Sequence, residues 1–168
     1  MKKPIHLYIF ATLSAIASAL RIFSAFFQKY DEASTRKWFQ GAPGIDETFF
    51  TYMKELNAFQ TNGINKGLAV VLLVVLIATI VFLFLKKNEQ ASYSYLGYLF
   101  LTLVSSTYAF IGAKGLSHIY PDFMPDTQLM ISYVVNIILF VIYFGVTVFF
   151  HLRKPKEKPS MAVNATDI

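Results

Sequence analysis

The chain has 168 residues, of which 55% are hydrophobic and 17% aromatic, and it contains no cysteine. The lack of cysteine excludes disulfides, thiolate nucleophiles and cysteine-ligated zinc or iron–sulfur sites. The formal net charge of +5 is concentrated beside apolar segments, so the sequence predicts no basic surface of the kind that binds nucleic acid.

The hydrophobic residues form four long runs, which predict an all-α, polytopic membrane protein. The runs cover residues 5–27, 67–85, 95–115 and 129–150. A helix needs about 20 residues to cross a hydrocarbon core that is ~30 Å thick, and an open sheet in lipid would leave backbone polar groups unpaired. We therefore predict a four-transmembrane-helix bundle in one membrane domain over residues 1–152, followed by a disordered cytoplasmic tail over residues 153–168.

Basic residues mark one end of each predicted helix. They are Lys2 and Lys3 before the first helix, Lys86 and Lys87 between the second and third, and Arg153, Lys154, Lys156 and Lys158 after the fourth. By contrast, the long loop over 28–66 has as many acidic as basic residues, and the connection over 117–128 has no basic residue. Because lysine and arginine are enriched on the cytoplasmic side, we predict a multi-pass protein of the cell membrane with both termini in the cytoplasm.

The first helix has an alternative interpretation as a cleaved signal peptide. Residues 1–3 are basic at two positions, residues 7–16 form an apolar core, and residues 17–19 read Ala-Ser-Ala, which is a cleavage pattern. Cleavage would leave three helices and an outside N-terminus. The apolar run resumes after Arg21 and reaches a full crossing length, which favours an uncleaved transmembrane helix.

The outer loop over 28–66 contains a predicted amphipathic helix. Asp46 is a suitable N-cap for a helix that runs to about Gln60 and is closed by Asn62 and Gly63. An apolar stripe recurs at helical spacing: Phe49, Tyr52, Met53, Leu56 and Phe59. Such a stripe either lies among the outer headgroups or packs over the bundle, and the functional alternative is a cap that binds a peptide or a lipid.

Small and hydroxyl residues form stripes on three of the predicted helices. The stripes are Ala11, Ser14, Ser18, Arg21 and Ala25 on the first, Tyr98, Thr102, Ser105, Ala109 and Gly112 on the third, and Ser132, Asn136, Tyr143 and Thr147 on the fourth. Stripes of this kind let membrane helices approach closely and form hydrogen bonds with one another. The second helix has only Thr79 in its interior, so we expect it to have the most lipid contact.

Arg21 lies well inside a predicted membrane span, about 9 Å from the outer end at 1.5 Å per residue. The topology places Tyr108, Tyr133 and Asn136 at a similar depth, which predicts one polar cluster of these four residues under the outer loops. The cluster either binds an anionic group, such as a carboxylate or a lipid phosphate, or else Arg21 extends to the headgroups while the other residues bond to backbone.

No arrangement of residues indicates catalysis, so we predict that the chain is not an enzyme. No carboxylate lies inside a predicted membrane helix, and no cofactor is expected. His118, Asp122 and Asp126 recur every four residues, but Pro121 and Pro125 would break the helix that aligns them, so no metal site is predicted.

Three segments carry a family resemblance: MKKPIHLYIF at residues 1–10, FQTNGINKG at 59–67 and FLFLKKN at 82–88. In these the chain resembles small four-helix membrane proteins of low-GC Gram-positive bacteria, some of which are described as permease components of ABC transporters. A permease contacts its ATPase through a cytoplasmic coupling helix, and the loop at 86–92 is too short to form one. The resemblance therefore implies an auxiliary subunit.

We accordingly expect a non-enzymatic, permease-like subunit that lies in the lipid bilayer and binds another membrane protein, such as a transporter, or a second copy of itself. Two alternatives stay open. One is a small homo-oligomeric carrier or channel, and the other is a membrane sensor or immunity-type protein that uses its outer loop.

Overall fold

A computed structural model describes residues 4–119 and 126–152, and within these ranges the regular structure is entirely helical. The elements are α1 (Ile5–Phe27), α2 (Glu32–Trp38), α3 (Glu47–Gln60), α4 (Gly63–Phe84), α5 (Asn88–Gly115), a 3₁₀ turn (Ser117–Ile119) and α6 (Asp126–Leu152). Four of them, α1, α4, α5 and α6, are long and apolar enough to cross a membrane. The predicted tail over 153–168 lies outside the described residues.

The four long helices form a bundle in which α4 and α5 are central. Helix α4 packs against α1 and α5, and α5 packs against α6, while α1 and α6 touch each other only lightly. Two ring contacts join α1 to α6 close to Pro4: His6 stacks on Phe150 with centroids 4.3 Å apart, and Phe10 meets Tyr143 at 4.5 Å. The bundle is therefore closed on this side at one end.

The two ends of the bundle differ in the connections that they carry. The terminus end has the start of α1, the connection over residues 85–87 and the end of α6. The loop end has the connection over residues 28–62, the end of α5 with the 3₁₀ turn, and the start of α6. Successive long helices thus alternate in direction, so α1 and α5 run parallel from the terminus end to the loop end.

Helix α4 has the largest buried share of its apolar stretch among the four, 28%, so the expectation that it has the most lipid contact is wrong. It buries Asn65, Ala69, Leu72, Leu76, Thr79 and Leu83. Helix α6 is the most exposed, with Thr147 as the one buried residue among its described side chains. Leucine and valine suit contact with lipid and with another helix equally well. Hydropathy therefore did not distinguish a central helix such as α4 from a lipid-facing helix such as α6.

The corner between α3 and α4 is tighter than the sequence predicted. The side chain of Asn62 accepts a hydrogen bond from the backbone N–H of Asn65 at 2.8 Å and so caps α4, which begins four residues before the predicted start at 67. The Asn65 side chain in turn donates to the carbonyl of Phe59 at 2.8 Å. Two amide side chains therefore satisfy backbone groups at the end of one helix and the start of the next.

The connection between α4 and α5 is also shorter than predicted, because α5 begins at Asn88 instead of 95. Lys86 adopts a left-handed conformation with φ of 58°. The N–H of Lys86 bonds to the carbonyl of Leu83 at 3.1 Å, and that of Lys87 bonds to Phe82 at 2.9 Å. This is the Schellman arrangement that ends a helix, and it leaves residues 85–87 as the whole turn.

Two short helices cover the loop end. The sequence did not predict α2, which Asp31 caps by accepting from the N–H groups of Ala33 and Ser34. Arg36 bridges Glu32 at 2.7 Å and Glu47 at 2.6 Å, which ties α2 to the start of α3.

Helix α3 packs on α5 and directs its apolar stripe inward. Phe49 and Tyr52 of the predicted stripe are buried, and Met53, Leu56 and Phe59 are partly buried. Phe50, which the stripe did not include, is buried as well. The Phe59 ring lies over Gly112, where it occupies the space that a Cβ would take, and its centroid is 5.4 Å from that of Tyr108. A glycine at this position is therefore required for α3 to approach α5 so closely.

Candidate functional site

Hydroxyl pairs join the predicted stripe on α1 to α5. The hydroxyls of Ser14 and Tyr95 lie 3.1 Å apart, and those of Ser18 and Tyr98 lie 3.0 Å apart. Ser18 and both tyrosines are buried. Small residues on α1 thus let the long tyrosine side chains of α5 reach across the bundle, and the stripe faces its interior.

Arg21 continues this series one turn nearer the loop end. Its Nη2 donates to the hydroxyl of Ser105, a side chain of α5 that is fully buried. Carboxylates are scarce nearby: the described ion pairs with a carboxylate are those of Arg36, and Glu89 lies at the opposite end of α5. Within the described ranges, Arg21 therefore has a hydroxyl partner and no counter-ion.

Arg21 borders a cavity of about 450 Å³, named here the Arg21 cleft. Its polar lining includes Arg21 and Ser24 of α1, Asn65 of α4, Thr102 and Ser106 of α5, and Asn136 of α6. Phe59 and Gln60 of α3 line it at the loop end. The described lining residues include no carboxylate, so the cleft carries one positive charge among neutral polar groups.

The cleft opens between α1 and α6. Leu20 and Asn136 line it from these two helices, and both are exposed, Leu20 to 64%. The ring contacts that close α1 onto α6 lie at the terminus end. The opening is therefore at the side of the bundle, in its loop-end half.

The four residues of the predicted polar cluster do not all meet. Arg21 and Asn136 line the same cleft, and the Asn136 amide donates to its own helix at the carbonyl of Ser132, at 2.8 Å. Tyr108 instead accepts from the Asn62 side chain at 3.2 Å. The fourth residue, Tyr133, pairs with Thr107 at 3.0 Å. The two tyrosines are not among the lining residues.

The sequence analysis missed four polar residues of the cleft, one of which, Gln60, was placed only at the end of the outer-loop helix. Ser24 lies three residues after Arg21, so helical spacing was a signal for it. Ser106 is one position beside the α5 stripe. Asn65 was assigned to a loop, so its position facing the cleft had no signal in the sequence.

A second cavity, of about 350 Å³, lies beside the first at the loop end and also contacts Ala25. Lys29, Lys54 and Lys66 line it. Acidic residues of the same loop are engaged elsewhere: Glu32 and Glu47 pair with Arg36, while Asp31 and Asp46 cap α2 and α3. Four of the five acidic residues of the loop are thus engaged away from the three lysines, which line this cavity together with Ala25 and Phe26 at the end of α1.

The Arg36 bridge sets the electrostatics of α2 and α3. Hydrogen bonds from Arg36 hold the pKa of Glu47 below its ordinary value, and the same bonds to Glu47 and Glu32 raise the pKa of Arg36. All three side chains are accessible to water, so salt screens the bridge.

The described residues contain no group of three or more His, Cys, Asp or Glu that could hold a metal. Of the spaced residues considered above, the His118 ring lies 3.1 Å from the Gly115 carbonyl. Asp122 and the side chain of Asp126 lie outside the described part of the chain.

One comparison with known proteins gives a match. A family model described as "Domain of unknown function (DUF8777)" matches residues 1–160. No curated protein and no solved structure matches the chain.

Proposed function

The chain belongs to the family described as Domain of unknown function (DUF8777), and we propose from its own residues that it is a non-enzymatic integral membrane protein. In this proposal it acts as an auxiliary, permease-like subunit of a membrane transporter complex. Its partners are the lipid bilayer and another membrane protein, with a second copy of this chain as the alternative.

Membrane insertion is supported by the four helices of sufficient length and hydropathy. The proposed orientation puts the terminus end in the cytoplasm, since Lys86 and Lys87 lie there and the sequence has further basic residues directly before α1 and after α6. Helix α3 then forms an amphipathic cap on the outer surface, with its apolar stripe directed at the bundle.

The absence of cysteine makes this orientation directly testable. Lys37 in α2 and Gln90 in α5 are both exposed and lie at opposite ends of the bundle. A membrane-impermeant maleimide should label Lys37→Cys on intact cells and Gln90→Cys only after permeabilisation. Labelling of Gln90→Cys on intact cells would contradict the orientation.

The observation that carries the proposed role is the open side between α1 and α6. Arg21 and Asn136 line a cleft that opens there, and a charge in the hydrocarbon region costs about 2.5–3.5 kcal/mol on insertion scales. Polar groups of this kind normally face protein or water. A second membrane protein on this side would enclose the cleft, with or without a small ligand in it, and would complete the bundle.

The turn over residues 85–87 supports an auxiliary role. It is the only cytoplasmic connection between spans in the proposed topology, and the Schellman hydrogen bonds of Lys86 and Lys87 use all of it. A coupling helix that contacts an ATPase has no room there, so translocation is assigned to the partner.

Site-specific crosslinking tests the partner. A photoreactive amino acid at Leu20, which is 64% exposed, samples the open side, and one at Val74 of α4, which is 59% exposed, is a control of matched exposure. At native expression, Leu20 should yield an adduct with a second protein, or with a second copy of the chain, and Val74 should not. Adducts with lipid alone from both positions would contradict the proposal.

The Arg21 cleft favours one other candidate, a homo-oligomeric carrier or channel for anions. This function predicts a stable oligomer in mild detergent and anion flux in liposomes that Arg21→Ala reduces. A monomer that supports no flux would leave this candidate without support and would not affect the first.

A further inference from the structure

We propose that the Arg21 cleft binds the anionic headgroup of a membrane amphiphile, such as an acidic phospholipid, which enters sideways between α1 and α6. This inference rests on the proposed membrane insertion but not on the proposed protein partner, because the cleft is lined by this chain alone.

The charge of the cleft selects an anion. A guanidinium stays protonated and has five N–H donors, and the one described hydrogen bond of Arg21 engages Ser105. No described lining residue is acidic. The site therefore has unused donors and an unbalanced charge, which a phosphate or carboxylate would satisfy through charge-assisted hydrogen bonds.

Two neutral side chains can complete the headgroup site. The Asn136 amide has two N–H groups and uses one of them on the Ser132 carbonyl, and Ser24 lies beside Arg21 on α1. The other hydroxyls serve the backbone instead: Thr102 donates to Tyr98 at 2.9 Å, and Ser106 donates to Thr102 at 2.9 Å. Arg21, Ser24 and Asn136 thus supply donors from the two helices that border the opening.

The position of the opening favours an amphiphile over a soluble anion. Phe59, which is partly buried, and Gln60, which is exposed, line the cleft at the loop end, while Leu20 and Asn136 line it at the side. A molecule that enters from this side comes from the bilayer. The volume of about 450 Å³ is in the usual range for small-ligand sites, and a helix about 10 Å wide would not enter it.

The acyl chains of such a ligand would meet exposed apolar residues beyond the cleft. Leu13 and Ile16 of α1 and Leu139 and Ile142 of α6 are all about half exposed, and in each helix they come after the cleft residue in the direction of the terminus end. A lipid held by its headgroup in the cleft would therefore keep its chains in contact with lipid-facing residues.

The test measures lipid selectivity of the purified full chain. Protein in mild detergent is titrated with mixed micelles of phosphatidylglycerol or phosphatidylcholine, and bound lipid is counted by native mass spectrometry. We expect one phosphatidylglycerol to bind about tenfold more tightly than phosphatidylcholine, the effect of one charge-assisted hydrogen bond. Arg21→Gln should abolish the preference, and Arg21→Lys should retain part of it because it keeps the charge.

Two further variants separate binding in the cleft from loss of folding or binding at the surface. Ala109→Leu fills the cleft wall without removing a charge and should also abolish the preference. Lys54→Gln removes a cation from the neighbouring cavity and should leave the preference intact. Helicity and the thermal midpoint are compared for every variant.

Several outcomes would overturn the inference. Equal binding of the two lipids by the wild-type chain would do so, and so would a preference that survives in the folded Arg21→Gln and Ala109→Leu variants. Competition by millimolar inorganic phosphate would identify the ligand as a soluble anion. Loss of the preference in Lys54→Gln alone would show that the lipid binds at the lysines of the neighbouring cavity and not in the Arg21 cleft. A crosslink from Leu20 to another protein that forms only when Arg21 is present, in a chain without lipid selectivity, would identify an acidic side chain of that partner as the ligand instead.

Discussion

The contact between Phe59 and Gly112 gives the sharpest prediction about how α3 is held on the bundle. A Cβ on Gly112 would lie within 2.8 Å of three carbons of the Phe59 ring, whereas carbon atoms in contact lie about 3.5 Å apart or more. The ring would have to retreat by about 1.5 Å to reach that distance, and Tyr108 lies beside it. Overpacking of this kind costs about 1–3 kcal/mol, and a helical glycine-to-alanine change returns about 0.5–1 kcal/mol, so Gly112→Ala should destabilise the protein by roughly 0.5–2 kcal/mol.

Gly97 is a matched control on the same helix, because no atom lies within 4 Å of the Cβ that an alanine would add there. Gly97→Ala should stabilise the protein by about 0.5–1 kcal/mol. Unfolding in mixed micelles with increasing dodecyl sulfate measures both changes, and limited proteolysis near residues 39–46 reports whether α3 detaches. In a Phe59→Ala background the cost of Gly112→Ala should disappear. Equal effects of Gly112→Ala and Gly97→Ala would refute the proposed role of the glycine.

Three other predictions concern a turn, a hydroxyl pair and the bridge between α2 and α3. Lys86→Gly should raise the free energy of unfolding by about 1 kcal/mol, because a side chain disfavours the left-handed conformation; an unchanged midpoint would argue against that strain. Tyr98→Phe should cost about 0.6 kcal/mol, as hydrogen bonds between membrane helices do, and a double-mutant cycle with Ser18→Ala should recover a coupling of that size. The depressed pKa of Glu47 stabilises the fold above the ordinary value of 4.5, and this contribution is lost as pH falls through the lower folded value. The protection of backbone amides in residues 32–60, measured against the intrinsic exchange rate at each pH, should therefore fall on acidification in the wild-type chain, and in Arg36→Gln it should be low already at neutral pH.

The sequence predicted the four long helices because an apolar run of about 20 residues has few structural alternatives. It predicted their ends less well. The start of α4 depends on Asn62, which caps the helix that follows although its position suggested the close of the helix before. The seven-residue α2 was missed because it is too short for apolar periodicity and is held by Asp31 and the Arg36 bridge.

The candidate site was predicted in part. Arg21 was located on an inward stripe by its small neighbours, which are the residues that α5 packs against. Tyr108 and Tyr133 were placed beside it on depth alone. Depth fixes the level of a residue along the bundle but not its direction around the helix, and each tyrosine is bonded to a different neighbour.

By itself the sequence determined where the helices are, how they alternate in direction and which faces of α1 and α5 are suited to close contact. These follow from local composition and from periodicity along one chain. The tertiary structure alone decided that α4 is central, that α6 is the most exposed helix and that α1 and α6 separate beside Arg21. The reason is that apolar side chains pack on lipid and on neighbouring helices alike, so the order of helices around the bundle depends on how whole surfaces fit together.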